Sequence, residues 1–276
     1  MIGRLFLTSL CLGFSALQVA HAGLLYAVQE HTNQLVTIDT TTFQKTVIGP
    51  LDVAFNFGGM AYDQNSDTLY MIDGRGAESL HTIDRTTGAV TTIGAHGIED
   101  LFGLAYDPFH DVLYASGESP QGVYTLDVST GQATLVGQPG VGLDGLAYDT
   151  TRDELIGLYA GPGDLYGIDP SNAASSLLLD GTFINNNGLA YDYEQDLYWS
   201  VDWDGRLVSY DPNDNYAMTL HMYFADAHDG LTFISSAPNS GPGSGSTPAP
   251  APATLSLLML GLAGLHIAKR KSKTAA

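Results

Sequence analysis

Short apolar runs, separated by polar turns, recur along the chain. One run has nearly the same letters each time: GGMAYD from Gly58, FGLAYD from Phe102, DGLAYD from Asp144, NGLAYD from Asn187 and DGLTFI from Asp229. The steps between them are 42 to 44 residues. Each full repeat adds three more runs of four to six residues, rich in β-branched and aromatic side chains and bounded by Gly, Asp, Asn or Thr. Runs of this kind predict β-strands and show no helical period.

Four strands in about 43 residues are typical of one blade of a β-propeller. Residues 24–49 hold only the last three strands of a repeat, and the segment Gly230–Ile234 holds only the first. The two partial repeats therefore predict one composite blade. We expect an all-β fold over residues 23–236: five four-stranded blades, closed by pairing of the N- and C-terminal strands.

The two ends of the chain have the composition of targeting segments. Residues 1–22 combine Arg4, an apolar stretch and Ala20-His21-Ala22, which predicts a signal peptide cleaved before Gly23. Residues 237–249 form a linker rich in Pro, Gly and Ser. Residues 250–273 then contain an apolar run (253–268), which predicts a transmembrane helix, and a basic end, which predicts a cytoplasmic C-terminus.

A Pro-x-Pro motif, a short apolar helix and a basic cluster, in this order, resemble the PEP-CTERM sorting signal of Gram-negative bacteria. The motif here is Pro250-Ala251-Pro252, with Ala where the family name implies Glu. The resemblance implies an exosortase-like sorting protease as a partner. It also implies export across the inner membrane, a transient membrane anchor and release to the cell surface or outside. A plain, uncleaved membrane anchor is the alternative.

The charge of the predicted mature region is strongly negative. All 30 acidic residues lie between residues 23 and 252, against five basic ones, so the net charge of this region is −25. Such a surface repels nucleic acid and anionic membranes. The single cysteine, Cys11, lies in the predicted signal peptide, which excludes a Cys nucleophile or a disulfide in the mature domain.

The residues that recur in every blade are predicted to be structural. Aspartates end the first strand of each full repeat and the third strand of every repeat, where a carboxylate can accept hydrogen bonds from turn amides. The recurring tyrosines (Tyr62, Tyr106, Tyr148, Tyr191) are expected to pack between blades.

Candidate functional residues lie in the loops of the opposite face, which do not repeat. Asp144, Asn187 and Asp229 share one repeat position and are expected to point toward the axis together. Three oxygen ligands from adjacent blades would suit Ca²⁺, and a solvated polar ring is the alternative. Glu99 and Asp100 lie in the same set of loops.

A second candidate is Asp202-Trp203-Asp204, in which a flat ring is flanked by acceptors. Such a group suits a sugar subsite, or it packs the loop onto its blade. No catalytic motif of a known class is present. Two functions therefore remain. The first is a non-catalytic binding protein for a glycan, cation or surface protein, and the resemblance to the sorting signal implies a role in the extracellular matrix. The second is a glycan- or lactone-directed hydrolase or lyase with carboxylates at the channel mouth.

Overall fold

The computed structural model describes residues 23–181 and 186–236. The predicted signal peptide, linker and sorting signal lie outside this part, and so does the predicted membrane span at 253–268. Within the described residues, no helix is long and apolar enough to cross a membrane.

Twenty strands and two short 3-10 helices (Glu30–Thr32 and Pro212–Asp214) make up the described part. In chain order the strands are β1 (Gly23–Gln29), β2 (Gln34–Asp39), β3 (Lys45–Pro50), β4 (Met60–Asp63), β5 (Thr68–Ile72), β6 (Ser79–Ile83), β7 (Val90–Ala95), β8 (Leu101–Asp107), β9 (Val112–Glu118), β10 (Gln121–Leu126), β11 (Ala133–Gly137), β12 (Gly145–Asp149), β13 (Glu154–Tyr159), β14 (Asp164–Ile168), β15 (Ser175–Leu179), β16 (Asn186–Asp192), β17 (Leu197–Asp202), β18 (Arg206–Asp211), β19 (Ala217–Tyr223) and β20 (His228–Ser235).

These strands form five antiparallel four-stranded sheets, which are the blades of a propeller. Four blades use consecutive strands: β4 to β7, β8 to β11, β12 to β15 and β16 to β19. The fifth has the order β20-β1-β2-β3, and β20 pairs antiparallel with β1 in a register that sets Leu25 opposite Phe233. The all-β propeller of five four-stranded blades is confirmed, and the composite blade has the strands that the two partial repeats predict.

The strand of the GLAYD motif is the innermost strand of each blade. β4, β8, β12, β16 and β20 contact one another in a ring, each with the next and β20 with β4. Five apolar clusters lie between neighbouring sheets, one at each junction. Trp199, 1% exposed, packs with Leu25 and Phe233 at the junction between the last blade of the chain and the composite blade. Each blade is therefore stabilised by apolar burial on both faces.

The glycine of the motif is required by close packing around the axis. A Cβ atom on Gly103 in β8 would lie 2.2 Å from Ser116 Oγ and 3.0 Å from the backbone nitrogen of Leu146 in the next inner strand. Any side chain at this position would push the inner strands apart, because real Cβ atoms do not approach other atoms so closely.

The recurring aspartates hold turns, as predicted. Asp63, Asp107, Asp149 and Asp192 are at most 5% exposed, and each accepts N–H bonds from the residues two and three positions ahead at 2.7 to 3.2 Å. The aspartates that end the third strands accept the N–H two positions ahead at 2.8 to 2.9 Å. These bonds satisfy amides that the strand ladders leave unpaired.

The recurring tyrosines pack between blades and also bind the same turns. Their hydroxyls donate to an aspartate five residues ahead, for example at 2.7 Å from Tyr62 to Asp67 and 2.6 Å from Tyr106 to Asp111. These aspartates have φ values of +54° to +57°, the left-handed conformation that Asp tolerates better than most residues. The motif AYDxxxD is therefore a packing and turn unit, and it occupies one face of the disc.

Candidate functional site

The opposite face of the disc carries a cavity of about 280 Å³ at the mouth of the central channel. Its lining residues are Phe57, Arg75, Phe102, Glu118, Asp144, Tyr159, Ala160, Gly161, Trp203 and Asp229. They come from the connections between blades, from the inner strands and from the loops between second and third strands, so all five blades contribute. This is the face on which the non-repeating loops converge.

Three aromatic rings form one wall of the cavity. The ring of Phe57 lies 4.8 Å from that of Trp203 and 6.0 Å from that of Phe102, centroid to centroid. The guanidinium of Arg75 lies 4.6 Å from the Phe57 centroid and 5.0 Å from the Phe102 centroid, within cation–π range. Its Nε atom also forms an ion pair with Asp100. The one cation of the lining is thus already held by a carboxylate and two rings.

Phe57 has an unusual backbone conformation, with a φ of +56°. Its carbonyl accepts a hydrogen bond from the Gly74 amide at 2.7 Å, which fixes the connection between β3 and β4 against the loop after β5. A left-handed conformation is costly for a bulky residue and is concentrated at functional sites. The fold therefore holds this ring at the cavity at some energetic cost.

Asp144 is a half-buried carboxyl of the cavity. Its pKa is raised to about 6, mainly by desolvation through burial and also by the charges of Glu118 and Asp100. The Ala160 amide, which donates to Oδ2 at 2.9 Å, and the charge of Arg75 oppose this shift. Asp144 therefore changes its charge close to neutral pH, because its carboxylate lies in a poorly solvated position beside another acid.

Asp229 forms a carboxyl pair with Glu30 at the inner edge of the cavity. It is 2% exposed and accepts the amides of Gly58 at 3.2 Å and Gly230 at 2.7 Å. Burial raises its pKa well above the usual value, and Glu30 raises it further. Burial also raises the pKa of Glu30, against its hydrogen bond with Asp229 and the charge of His31. Burial of Asp229 and its contact with Glu30 both favour the protonated form of Asp229.

Three other predicted site residues, Asp202, Asp204 and Glu99, do not line this cavity. Asp202 is fully buried, accepts the Arg206 amide at 2.7 Å and pairs with the Arg206 side chain, so it holds the turn between β17 and β18. Asp204 is exposed and pairs with the same arginine at 3.1 Å. Glu99 is exposed on the connection before β8 and does not line the cavity. Asp100 reaches the site through Arg75, and the side chain of Asn187 lies outside the described residues.

The sequence reasoning did not single out the aromatic residues Phe57, Phe102 and Tyr159. A signal for two of them was present, because Phe102 occupies the repeat position held by Asp144 and Asp229, and Phe57 directly precedes the equivalent position in the earlier repeat. Phe102 thus places a large ring at a position where two other repeats have an aspartate.

The calcium site predicted at Asp144, Asn187 and Asp229 stays a prediction, because the side chain of Asn187 lies outside the described residues. Asp144 and Asp229 line the same cavity, but residues 23–181 and 186–236 contain no group of three His, Cys, Asp or Glu side chains that could hold a metal ion. The oxygens of Asp229 are occupied by two amides and by Glu30, whereas Ca²⁺ takes six to eight oxygen ligands.

Two other depressions differ in chemistry. The opposite mouth of the channel has a cavity of only about 60 Å³, lined by the recurring tyrosines. A depression of about 300 Å³ at the blade of β12 to β15 is lined by Asp153, Pro170, Leu178 and neighbours, without an aromatic ring. The aromatic and acidic cavity is therefore the best candidate site.

No protein-family model and no curated protein matches this chain. Among solved structures, it is similar to a structural genomics protein of unknown function from Bacteroides thetaiotaomicron, with a TM-score of 0.55 and 18% identity over 75% of this chain; the chain spans 60% of that protein. It is also similar to a chain of a nidogen/laminin complex, with a TM-score of 0.53 and 15% identity over 78% of this chain and 85% of that one. At these identities the comparisons show the fold, a β-propeller, and the function must be argued from the cavity.

Proposed function

We propose that this protein is a non-catalytic binding propeller that takes its ligand, a glycan or a group on a surface protein, in the channel-mouth cavity. One observation carries the proposal: all five blades contribute to a single cavity with an aromatic wall and carboxyl groups. Binding pockets combine apolar and aromatic walls with a few polar groups in this way. One similar structure is a nidogen/laminin complex, which also supports a binding role.

The size of the cavity limits the ligand. Pockets for drug-sized ligands run from about 300 to 1,000 Å³. A cavity of about 280 Å³ is at the lower end of this range and suits one sugar ring or one long side chain. A polymer would therefore be bound by one projecting unit.

The place of action proposed here is the cell surface or the extracellular matrix of a Gram-negative bacterium. The signal peptide (1–22) would direct export, and the segment 250–273 would anchor the chain until an exosortase-like protease cuts it. Cell fractionation with N- and C-terminal mass spectrometry of the mature protein tests this. A mature chain that starts at Met1 in the cytoplasm would contradict it.

Trp203 provides a direct test of binding. Trp199 is 1% exposed in an inter-blade core, whereas Trp203 is half-buried and lines the cavity, so ligand binding should change the emission of Trp203 alone. Titration with the host polysaccharide and a glycan panel should give a saturable change that is lost in Trp203→Phe. A change that persists in Trp203→Phe would locate binding elsewhere.

A glycan- or lactone-directed hydrolase or lyase is the second candidate. One observation favours it: Asp144, whose pKa is raised to about 6, lies beside Glu118. Glycosidases use such a pair, in which one carboxylic acid has a raised pKa and the other group is an ionised carboxylate. Turnover of reporter glycosides or lactones that falls at least about 100-fold in Asp144→Asn, as expected for loss of a general acid, would establish an enzyme. Binding without turnover would leave the non-catalytic role.

A further inference from the structure

The cavity has two acidic groups, Glu118 and Asp144, that form no ion pair with its basic residue Arg75. Among residues 23–181 and 186–236, the Glu118 carboxylate has no hydrogen bond or ion pair, and Asp144 has one partner, the Ala160 amide. Arg75 is the only basic residue of the lining, and Asp100 already pairs with it. A carboxylate in a poorly solvated position is costly without a positive partner, so a cationic ligand would relieve this cost.

The aromatic wall has already been shown to accept a cation, because Arg75 packs on it. Its guanidinium lies over Phe57 and Phe102 at 4.6 and 5.0 Å from the ring centroids. Trp203, which packs on Phe57 at 4.8 Å, and Tyr159, which directly precedes Ala160 in the chain, add two further rings to the same lining. Aromatic rings combined with carboxylates are the usual means of binding organic ammonium groups.

We propose that the channel-mouth cavity recognises a protonated primary amine on the ligand, with Asp144 and Glu118 as its charge partners and the aromatic rings as its walls. This inference rests on the binding function proposed above and names the chemical class of the ligand. The amine belongs to an amino sugar of a glycan or to a lysine side chain of a protein, and both carry the same ammonium group. The net charge of −25 on the surrounding region would attract either one toward the site.

The pH dependence of binding follows from Asp144. The groups that act on it are Glu118, Asp100, Arg75 and the Ala160 amide, and Tyr159 and Asp229 line the same cavity. Asp144 must be ionised to attract the ammonium, and burial raises its pKa to about 6. For the lysine ammonium, which keeps its charge to about pH 10, affinity should therefore be highest above pH 7 and should fall as the pH drops through 6.

The test uses two matched pairs of small probes and the full-length protein. The first pair is the glucosamine disaccharide and its N-acetylated form; the second is Nα-acetyl-lysine methylamide and its Nε-acetylated form. Calorimetry at pH 7.5 should show binding of at least one amine, and acetylation should weaken that binding about ten-fold or more, because it removes a charge-assisted hydrogen bond. The pair that binds identifies the source of the amine.

Variants then connect the binding to the cavity. Asp144→Asn keeps an acceptor for the Ala160 amide, so the fold should be retained while amine affinity falls about ten-fold or more. Glu118→Gln should weaken binding in the same direction. Asp180→Asn removes an exposed charge outside the cavity lining and should leave the affinity unchanged.

Three results would overturn the proposal. If neither amine binds, or if the acetylated probes bind as tightly as the amines, the cavity does not recognise ammonium. If Asp144→Asn and Glu118→Gln both bind the amine as the wild type does, the amine binds elsewhere. In each case a Trp203-dependent response to the polysaccharide panel would still support the broader binding function, so the two proposals fail separately.

Discussion

Replacement of Asp149 by Ala should destabilise the protein far more than replacement of an exposed turn aspartate. Asp149 is fully buried and accepts the amides of Thr151 at 2.8 Å and Arg152 at 2.9 Å, the Arg152 guanidinium at 2.8 Å and the hydroxyl of Tyr198. Tyr198 is itself fully buried and belongs to the next blade. The carboxylate therefore holds a turn and joins two blades.

The expected loss can be worked from these partners. The Tyr198 hydroxyl would be left buried without an acceptor, at a cost of about 1–3 kcal/mol, and loss of a turn cap costs about 1 kcal/mol more. With the loss of the charged bond to Arg152, the total is about 3–5 kcal/mol, a large share of the ~5–15 kcal/mol by which domains are stable. For a domain of this size the melting temperature should fall by roughly 10 °C.

Urea unfolding, followed by the emission of the buried Trp199 and by far-UV circular dichroism, measures this loss. Tyr198→Phe should cost less than Asp149→Ala, and a double-mutant cycle should give a coupling of about 1.5–3 kcal/mol for a hydrogen bond to a charged group. Asp127→Ala is the matched control, because Asp127 lies in an exposed turn and accepts the amides two and three residues ahead, those of Ser129 at 2.8 Å and Thr130 at 3.1 Å. If Asp149→Ala lowers the free energy of unfolding no more than Asp127→Ala does, the carboxylate does not join the blades. The same conclusion follows if the effects of Asp149→Ala and Tyr198→Phe simply add in the double mutant.

Three further perturbations follow from packing, burial and exposure. Gly103→Ala should lower the melting temperature by several degrees, because its Cβ would lie 2.2 Å from Ser116 Oγ, whereas Gly161→Ala, with no neighbour closer than 3.9 Å, should not. Burial, and then the charge of Lys45, lowers the pKa of His228 from 6.5 to about 4. The unfolded chain therefore binds this proton first, and acidification from pH 6.5 to 4 should cost up to about 3 kcal/mol in urea unfolding through His228. His228→Asn should remove this part of the dependence and leave the part due to His81, His96 and His221, whose pKa values burial also lowers. Leu220 is 44% exposed on the edge strand β19, so Leu220→Lys should reduce self-association in light scattering and leave the melting temperature unchanged.

The architecture could be predicted from the sequence because each blade of a propeller repeats the same local structure. Every blade has a small residue at the axis, and the four blades built from consecutive strands add a buried aspartate in the first turn and a tyrosine that binds the next aspartate. These features appear as GLAYD and AYDxxxD at steps of 42 to 44 residues. The composite blade was predictable for the same reason, because the two partial repeats at the ends contain complementary strands. Local hydrogen bonds and periodic packing require particular residue types at regular intervals, so they produce a pattern in the sequence.

The cavity was predictable only in outline. The sequence indicated the correct face, and Asp144, Asp229 and Trp203, three of the predicted residues, line the cavity. Asp202 flanks Trp203 in the sequence, but it is fully buried and bound to Arg206. Asp202 is the last residue of β17, whereas Trp203 lies in the turn that follows, so these neighbours in the chain differ in exposure.

The sequence by itself determined the repeat, the strands, the number of blades and the face on which the loops converge. Only the tertiary structure decided that Phe57, Phe102, Trp203 and Arg75, which come from three different blades, meet in one wall. It also decided that burial raises the pKa of Asp144 to about 6 and that Asp229, whose pKa burial also raises, lies against Glu30. The physical reason is that desolvation and contacts between blades depend on residues far apart in the chain, whereas strands and turns depend on near neighbours.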